Sequence, residues 1–141
     1  MNRSFWKGRK VFLTGHTGFK GGWTALLLSQ MGAKVYGYSL KPPTKPNFFM
    51  TTKLEKCLSK STIANILDLK KLTKEIKKVG PSLIIHMAAQ PLVRESYNMP
   101  LQTFNTNIIG TANIFEAARQ TSTIKAIVNI TTDKCYENPT Q

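Results

Sequence analysis

The chain has 141 residues, 41% of them apolar, and 20 Lys and Arg against 7 Asp and Glu give it a formal charge of +13. That length supports one domain with a buried core and little more. The apolar stretch that follows the basic residues Arg3, Lys7, Arg9 and Lys10 is only Val11 to Leu13, too short for a signal-peptide core or a membrane span, so the expectation is a cytoplasmic protein with no membrane contact.

In chain order, Lys10 to Thr14 reads as a strand and runs directly into "TGHTGFKG". A helix is expected from Gly18 or Phe19 to Met31, with Trp23, Leu26, Leu27 and Gln30 at intervals of three or four, and Gly32 stops it. Lys34 to Ser39 reads as the second strand. The loop "KPPTKPNFF" carries three prolines, which remove backbone donors and exclude regular pairing. Thr62 to Ile66 reads as the third strand. Asp68 then precedes a helix through Val79, closed by Gly80-Pro81. Its lysines, Lys70, Lys71, Lys74, Lys77 and Lys78, share a helical spacing with Leu69, Leu72, Ile76 and Val79 on another face, so this densest basic group reads as a solvated face. No interleaved aromatics and no zinc-finger or RNA-recognition signature accompany it, and no nucleic-acid partner is expected. Ser82 to Met87 reads as strand four, "AAQPLVRESY" as part of a loop, Leu101 to Gln120 as a long helix, and Ala126 to Ile130 as strand five. The apolar spacing in that long helix is Leu101, Phe104, Ile108, Ile109, Ala112, Phe115 and Ala118. Two cysteines, Cys57 and Cys135, suffice for neither a disulfide framework nor a structural zinc site, and no metal is expected.

Near-continuous apolar strands joined by helices imply an α/β fold, a doubly wound parallel sheet covered on both faces. Within it Gly15, Gly18 and Gly21 follow a strand and open a helix, the arrangement that binds a dinucleotide pyrophosphate. The first glycine allows the turn, the second lets the phosphates approach the backbone, and the third lets helix and strand pack closely. The acidic residue that usually bonds the ribose of NAD about 20 positions on is absent. Ser39 stands in its place with Lys41 two residues later, which leaves NADP open beside NAD. Asp68 is either a second cofactor contact or the cap of the helix after it, and the two roles are compatible. At the end of strand five, "ITTDKCYEN" puts hydroxyls, a carboxylate and an amine where ligands meet parallel sheets.

Together "VFLTGHTGFKG", "PPTKPNFF", "HMAAQPLVRESY", "NTNIIGTANIFEAAR" and "TTDKCYEN" resemble the CDP-glucose 4,6-dehydratases of the extended short-chain dehydrogenase/reductase superfamily, over nearly the whole chain. The resemblance implies a Rossmann-like domain over residues 1–141 and a lyase of nucleotide-sugar metabolism serving surface polysaccharide such as lipopolysaccharide. In such an enzyme, bound NAD takes a hydride from C4 of the hexose, water leaves across C5 and C6, and the hydride returns to C6. The resemblance also implies roles residue by residue. Thr132 would hydrogen-bond the C4 hydroxyl, Asp133 would protonate the departing C6 hydroxyl, and Lys134 would stand where related enzymes have a glutamate base. Gly15, His16, Gly18, Phe19, Lys20 and Gly21 would surround the pyrophosphate. Ser39, Asp68, Leu69, Ala88, Ala89, Gln90 and Thr131 would complete the cofactor site, and Gln90, Arg94 and Thr132 would touch the substrate, a CDP-glucose-like nucleotide sugar. Asn107 would sit on the helix behind the active site.

The resemblance also implies a protein more than twice this long. No Tyr-x-x-x-Lys pair is present: Thr140 stands four residues after Tyr136. The expectation is therefore a domain truncated after about five strands, lacking the C-terminal substrate domain and inactive or nearly so alone, with a second copy or a complementing C-terminal chain as its protein partner. The readings left beside it are a module that holds NAD(P) without turnover, another nucleotide-sugar epimerase or dehydratase, and a basic protein that binds polyanions. An apolar face exposed around strand five and the long helix is expected too.

Overall fold

The computed structural model describes residues 2–132 and 136–137. Its strands are β1 (Lys10–Thr14), β2 (Lys34–Ser39), β3 (Lys60–Ile63), β4 (Leu83–His86) and β5 (Ala126–Asn129), all parallel and in the order β3-β2-β1-β4-β5. The helices are α1 (Arg3–Trp6), α2 (Phe19–Gln30), α3 (Phe48–Thr51), α4 (Leu69–Val79), α5 (Val93–Asn98), α6 (Pro100–Phe104) and α7 (Gly110–Arg119), with a π turn over Asn105–Ile109 joining α6 to α7. Successive strands lie to one side of β1 and then the other. The sheet is therefore doubly wound, as the alternation of apolar strands and helices implied.

Two apolar layers follow from the alternation of side chains along each strand. Val11, Leu13, Val35, Leu83 and Ile85 face Ala25, Leu28 and Met31 at α2, with Phe49 and Leu54 closing the edge. Phe12, Tyr38 and Ile84 face Leu72, Ile76 and Val79 of α4 and Ile114 and Ala117 of α7. The α4 lysines are all exposed, so the basic cluster is a solvated face. Among the described residues no helix is long and apolar enough to cross a membrane.

Several expectations need correction. The buried face of α2 is Gly21, Gly22, Ala25 and Leu28, while Trp23 and Leu27 are exposed. The reason is steric: a Cβ on Gly22 would lie 2.6 Å from Phe48 Cδ1, so the helix lies too close to its neighbours for large side chains on that face. The third strand begins at Lys60, two residues earlier than Thr62, and ends at Ile63, paired with Ser39, where β2 itself ends. Asn65 then turns the chain, its Oδ1 accepting the Leu67 N–H at 3.0 Å, and Ile66 is buried from the turn, not from a strand. The segment taken as a loop after β4 contains α5, and the proline loop leads into α3 and a 3-10 turn at Leu54–Cys57.

The long helix forms but is interrupted by the π turn, and its buried side is Gly110, Ile114 and Ala117. The apolar stripe read from its spacing faces outward, as the expectation of an exposed apolar face around this helix had it: Leu101 is 78% exposed, Phe104 60% and Ile108 57%. A Cβ on Gly110 would lie 2.4 Å from Ile66 Cδ1, so the inner face is again the one with the small residue. β5 forms one edge of the sheet, with Val128 and Ile130 exposed on the face that α2 covers elsewhere.

Candidate functional site

The chain leaves β1 for α2 and β2 on one side and reaches β4 and β5 on the other. The crevice at the carboxyl ends of β1 and β4 is thus the switch point where such sheets take ligands. Each motif glycine has a different physical cause there. Gly15 has φ +78°, and a Cβ on it would meet the Met87 backbone at 2.8 Å. On Gly21 a Cβ would lie 2.0 Å from the Gly15 carbonyl oxygen, so the third glycine seats the helix against the turn. Gly18 differs. Its backbone is extended (φ −77°), and a Cβ there would meet only Gly15 O, at 3.4 Å. Nothing in the fold itself demands glycine at that position; what its bare Cα preserves is open space over the start of α2.

No side chain caps that helix, and the first-turn N–H groups, those of Phe19 and Lys20 among them, have no intrahelical acceptor. With the helix dipole behind them, they form a place for an anionic group. Phe19 and Lys20 are both exposed at the crevice. The residues present therefore fit a dinucleotide: an empty cradle at Gly18, uncapped donors, and the small side chains of Ala88 and Ala89 at the end of β4.

His16, expected to contact cofactor, turns its side chain inward instead. It is fully buried, its Nε2 lies 2.8 Å from Ser61 Oγ on β3, and its ring stands edge-on to Phe49 with centroids 5.5 Å apart. The ring fills the space where Gly37 has no side chain. Its Nδ1 is buried with no hydrogen-bond partner among the described residues. Burial holds the imidazole down to about 4, with the Tyr38 backbone opposing more weakly. His16 thus anchors the turn to β2 and β3.

A second buried imidazole, His86 at the end of β4, joins the two sides of the crevice. Thr14 Oγ1 accepts the N–H groups of Met87 and Ala88, at 3.1 Å each, and lies 2.6 Å from His86 Nδ1. His86 Nε2 lies 3.1 Å from Thr111 Oγ1, which donates to the Asn107 carbonyl at 2.7 Å. Burial lowers the His86 pKa to about 4. With both Thr14 lone pairs occupied, its own proton goes to Nδ1, so His86 carries its proton on Nε2 and donates to Thr111. The chain of donors runs in one direction from the β4 loop to the π turn.

Asn107 on that turn clamps Gln90, its Oδ1 accepting the Gln90 N–H at 2.8 Å and its Nδ2 donating to the Gln90 carbonyl at 3.1 Å. The Gln90 side chain, expected to touch cofactor and substrate, is held by the protein: its amide donates to Leu92 O and Thr103 Oγ1 and its oxygen accepts the Leu92 N–H. Asp68 caps α4, Oδ1 accepting the Lys71 N–H at 2.9 Å, with Leu69 partly buried behind it. Arg94 is exposed on α5, and Thr131 and Thr132 are exposed just beyond β5. Asp133 and Lys134 lie outside the described residues. Ser39 is 7% exposed at the end of β2 and pairs with Thr17, Oγ to Oγ1 at 2.9 Å. Thr14, Thr17 and His86 were not singled out from the sequence. A hydroxyl inside the glycine turn was the available signal for Thr17.

Comparison with known proteins places the chain among nucleotide-sugar enzymes. The family model described as GDP-mannose 4,6 dehydratase matches residues 12–141. The CDP-glucose 4,6-dehydratase of Salmonella typhimurium is 49% identical over 98% of this chain, which spans 38% of that protein. GDP-mannose 4,6 dehydratase 2 of Caenorhabditis elegans is 27% identical over 82% of the chain and 32% of its own length. Among solved structures, the UDP-glucose 4-epimerase of Brucella ovis in complex with NAD superposes with a TM-score of 0.79 at 25% identity, covering 95% of this chain and 39% of that one. The UDP-glucose 4-epimerase of Thermus thermophilus in complex with NAD gives 0.71, also at 25% identity, over 83% of this chain and 36% of that one.

Proposed function

The chain belongs to the GDP-mannose 4,6 dehydratase family, and we propose that it forms the NAD-binding part of a nucleotide-sugar 4,6-dehydratase acting in the cytoplasm on a CDP-glucose-like substrate. The observation that carries this reading is the open space at Gly18 over an uncapped helix start, a glycine the fold does not itself require. The epimerases that superpose on it were solved with NAD, and the relative with 49% identity is a CDP-glucose 4,6-dehydratase. The chain spans 38% of that relative, so turnover is proposed for the whole protein that carries this span.

When bound, NAD supplies the hydride acceptor at sugar C4 and gives the hydride back at C6. The rest falls to the protein. Phe19 and Lys20 present N–H groups to the pyrophosphate, Ser39 meets the adenosine ribose, Asp68 and Leu69 border the adenine side, and Ala88, Ala89 and Thr131 wall the crevice. Thr132 orients the C4 hydroxyl, whose proton leaves to a general base as the hydride departs, and Asp133 protonates the leaving C6 oxygen. Lys134 takes the C5 proton, which it does in its neutral form, and a proton returns to C5 as the hydride reaches C6.

Calorimetric titration of the intact protein with NAD and with CDP-glucose tests this reading. Saturable heat with NAD, followed by loss of water from CDP-glucose, supports it. No heat with either nicotinamide coenzyme at millimolar concentration overturns it, and salt-sensitive DNA binding in their place would make the protein a polyanion binder.

A further inference from the structure

The buried pair Thr17 and Ser39 carries more than packing, because counting its protons fixes which way it points. Thr17 Oγ1 lies 2.9 Å from the Leu40 carbonyl oxygen, which can only accept, so the Thr17 proton is committed there. The second contact, between Thr17 Oγ1 and Ser39 Oγ at 2.9 Å, must then be donated by Ser39. Both hydroxyls are buried, at 4% and 7% exposure, so water does not compete for these protons. Ser39 Oγ is left with lone pairs and no proton to offer.

From this we infer that Thr17 makes Ser39 an acceptor-only group, a neutral substitute for the carboxylate that normally selects NAD over NADP. The inference rests on the nucleotide-binding reading above and adds the discrimination that reading leaves open. Ser39 ends β2 at the position whose usual acid bonds the ribose 2′-hydroxyl. An oxygen with its proton turned away accepts from that hydroxyl as a carboxylate would. Toward a 2′-phosphate it presents only a lone pair to anionic oxygens, and it has no donor with which to satisfy them. Exposed Lys41 attracts a phosphate, but from solvent and on a flexible stem, where screening leaves the attraction small.

The framework keeps the pair in place. Gly15 N–H donates to the Tyr38 carbonyl at 3.0 Å, tying the turn to the residue before Ser39. His16, next to Thr17, is locked between Ser61 and the bare Cα of Gly37. Thr17 is therefore a positioning residue, acting through Ser39, and Ser39 is the group that meets the ligand.

The test is the ratio of the NADP and NAD dissociation constants, measured by calorimetry on the intact protein. Each ratio is taken within one preparation, so a partly unfolded variant lowers both affinities and leaves the ratio unchanged. The native protein is expected to favour NAD by about tenfold, the scale of one hydrogen bond gained against one left unmade. Thr17→Val frees the Ser39 proton to donate, and the ratio should fall several-fold toward unity. Ser39→Asp should restore or widen the preference, and Ser39→Ala should narrow it by weakening NAD. Equal affinity of the native protein for both coenzymes, or an unchanged ratio in Thr17→Val, overturns the inference while leaving nucleotide binding intact. Failure to bind either coenzyme overturns both readings together.

Discussion

Adding one methyl group at two glycines of the same motif should give opposite results, and the contrast separates what the fold needs from what a ligand needs. In Gly21→Ala the new Cβ would lie 2.0 Å from the Gly15 carbonyl oxygen, so the start of α2 must move by more than an ångström from the turn it seats against. Overpacking of that kind costs about 3 kcal/mol, and a chain of this size then melts about 10 °C lower. In Gly18→Ala the Cβ meets only Gly15 O at 3.4 Å, and the backbone conformation is one any residue adopts. Alanine at the start of a helix costs less than about 1 kcal/mol, so the melting temperature should fall by only about 3 °C. The same methyl projects into the open space over the Phe19 and Lys20 amides. If it displaces a pyrophosphate from even one such donor, about 1.5–3 kcal/mol is lost, and NAD affinity falls by about 10- to 100-fold. Differential scanning calorimetry and NAD titration on both variants give the four numbers required. Native-like NAD affinity in Gly18→Ala would refute the reasoning, because the middle glycine would then have neither a structural nor a ligand-binding cause.

Other consequences follow from particular contacts. His16 and His86 are held near 4 by burial against an ordinary 6.5, so below about pH 6.5 the unfolded chain binds protons that the folded one does not. Stability should therefore fall as pH drops from 6.5 toward 4, by about 2 kcal/mol per imidazole at pH 5; a urea midpoint unchanged between pH 7 and pH 5 would contradict this. Nitrogen NMR should find His86 protonated on Nε2 and neutral at pH 6, and the Nδ1 tautomer would disprove the donor order from Thr14 to Thr111. Asp68→Ala should cost about 1 kcal/mol through the lost cap on Lys71 N–H, and Asp68→Ser should recover most of it in the same denaturant titration. Leu101→Gln should leave the melting temperature within about 2 °C, whereas Ile114→Ala, at a fully buried position, should cost about 2–5 kcal/mol.

The strands and α4 were readable because their signals are local. Lys10–Thr14, Lys34–Ser39 and Leu69–Val79 match their expected limits residue for residue, each bounded by a glycine or a capping residue that acts within a few positions. The exposed apolar face expected around strand five and the long helix is present, but which faces of α2 and α7 are buried does not follow from apolar spacing, for one shared reason. Apolar periodicity finds large side chains, but both helices approach their neighbours through Gly21, Gly22 and Gly110, which add nothing to such a pattern. The large residues of those helices were then left outward, as at Trp23, Leu27 and Phe115. β3 was displaced by a different cause, since a parallel strand ends where its partner ends and not where its own apolar residues end.

The glycine turn was legible as a phosphate site because spacing alone places its three bare Cα atoms in the turn after a strand, at the cap of a helix and in that helix's first turn. The hydroxyls between them were not legible in the same way. Thr14, Thr17, Ser39, His86 and Thr111 are ordinary residue types whose meaning lies in who donates to whom, and those partners are 22 to 74 residues apart. Fixed proton direction then has a functional consequence that side-chain identity lacks. A serine free to rotate would serve a ribose hydroxyl or a phosphate equally, whereas one whose proton is claimed by Thr17 serves only the first. On this reasoning the coenzyme preference is decided one layer behind the ligand, in the Leu40 carbonyl that claims the Thr17 proton. A substitution that left every group touching the dinucleotide in place could still reverse that preference.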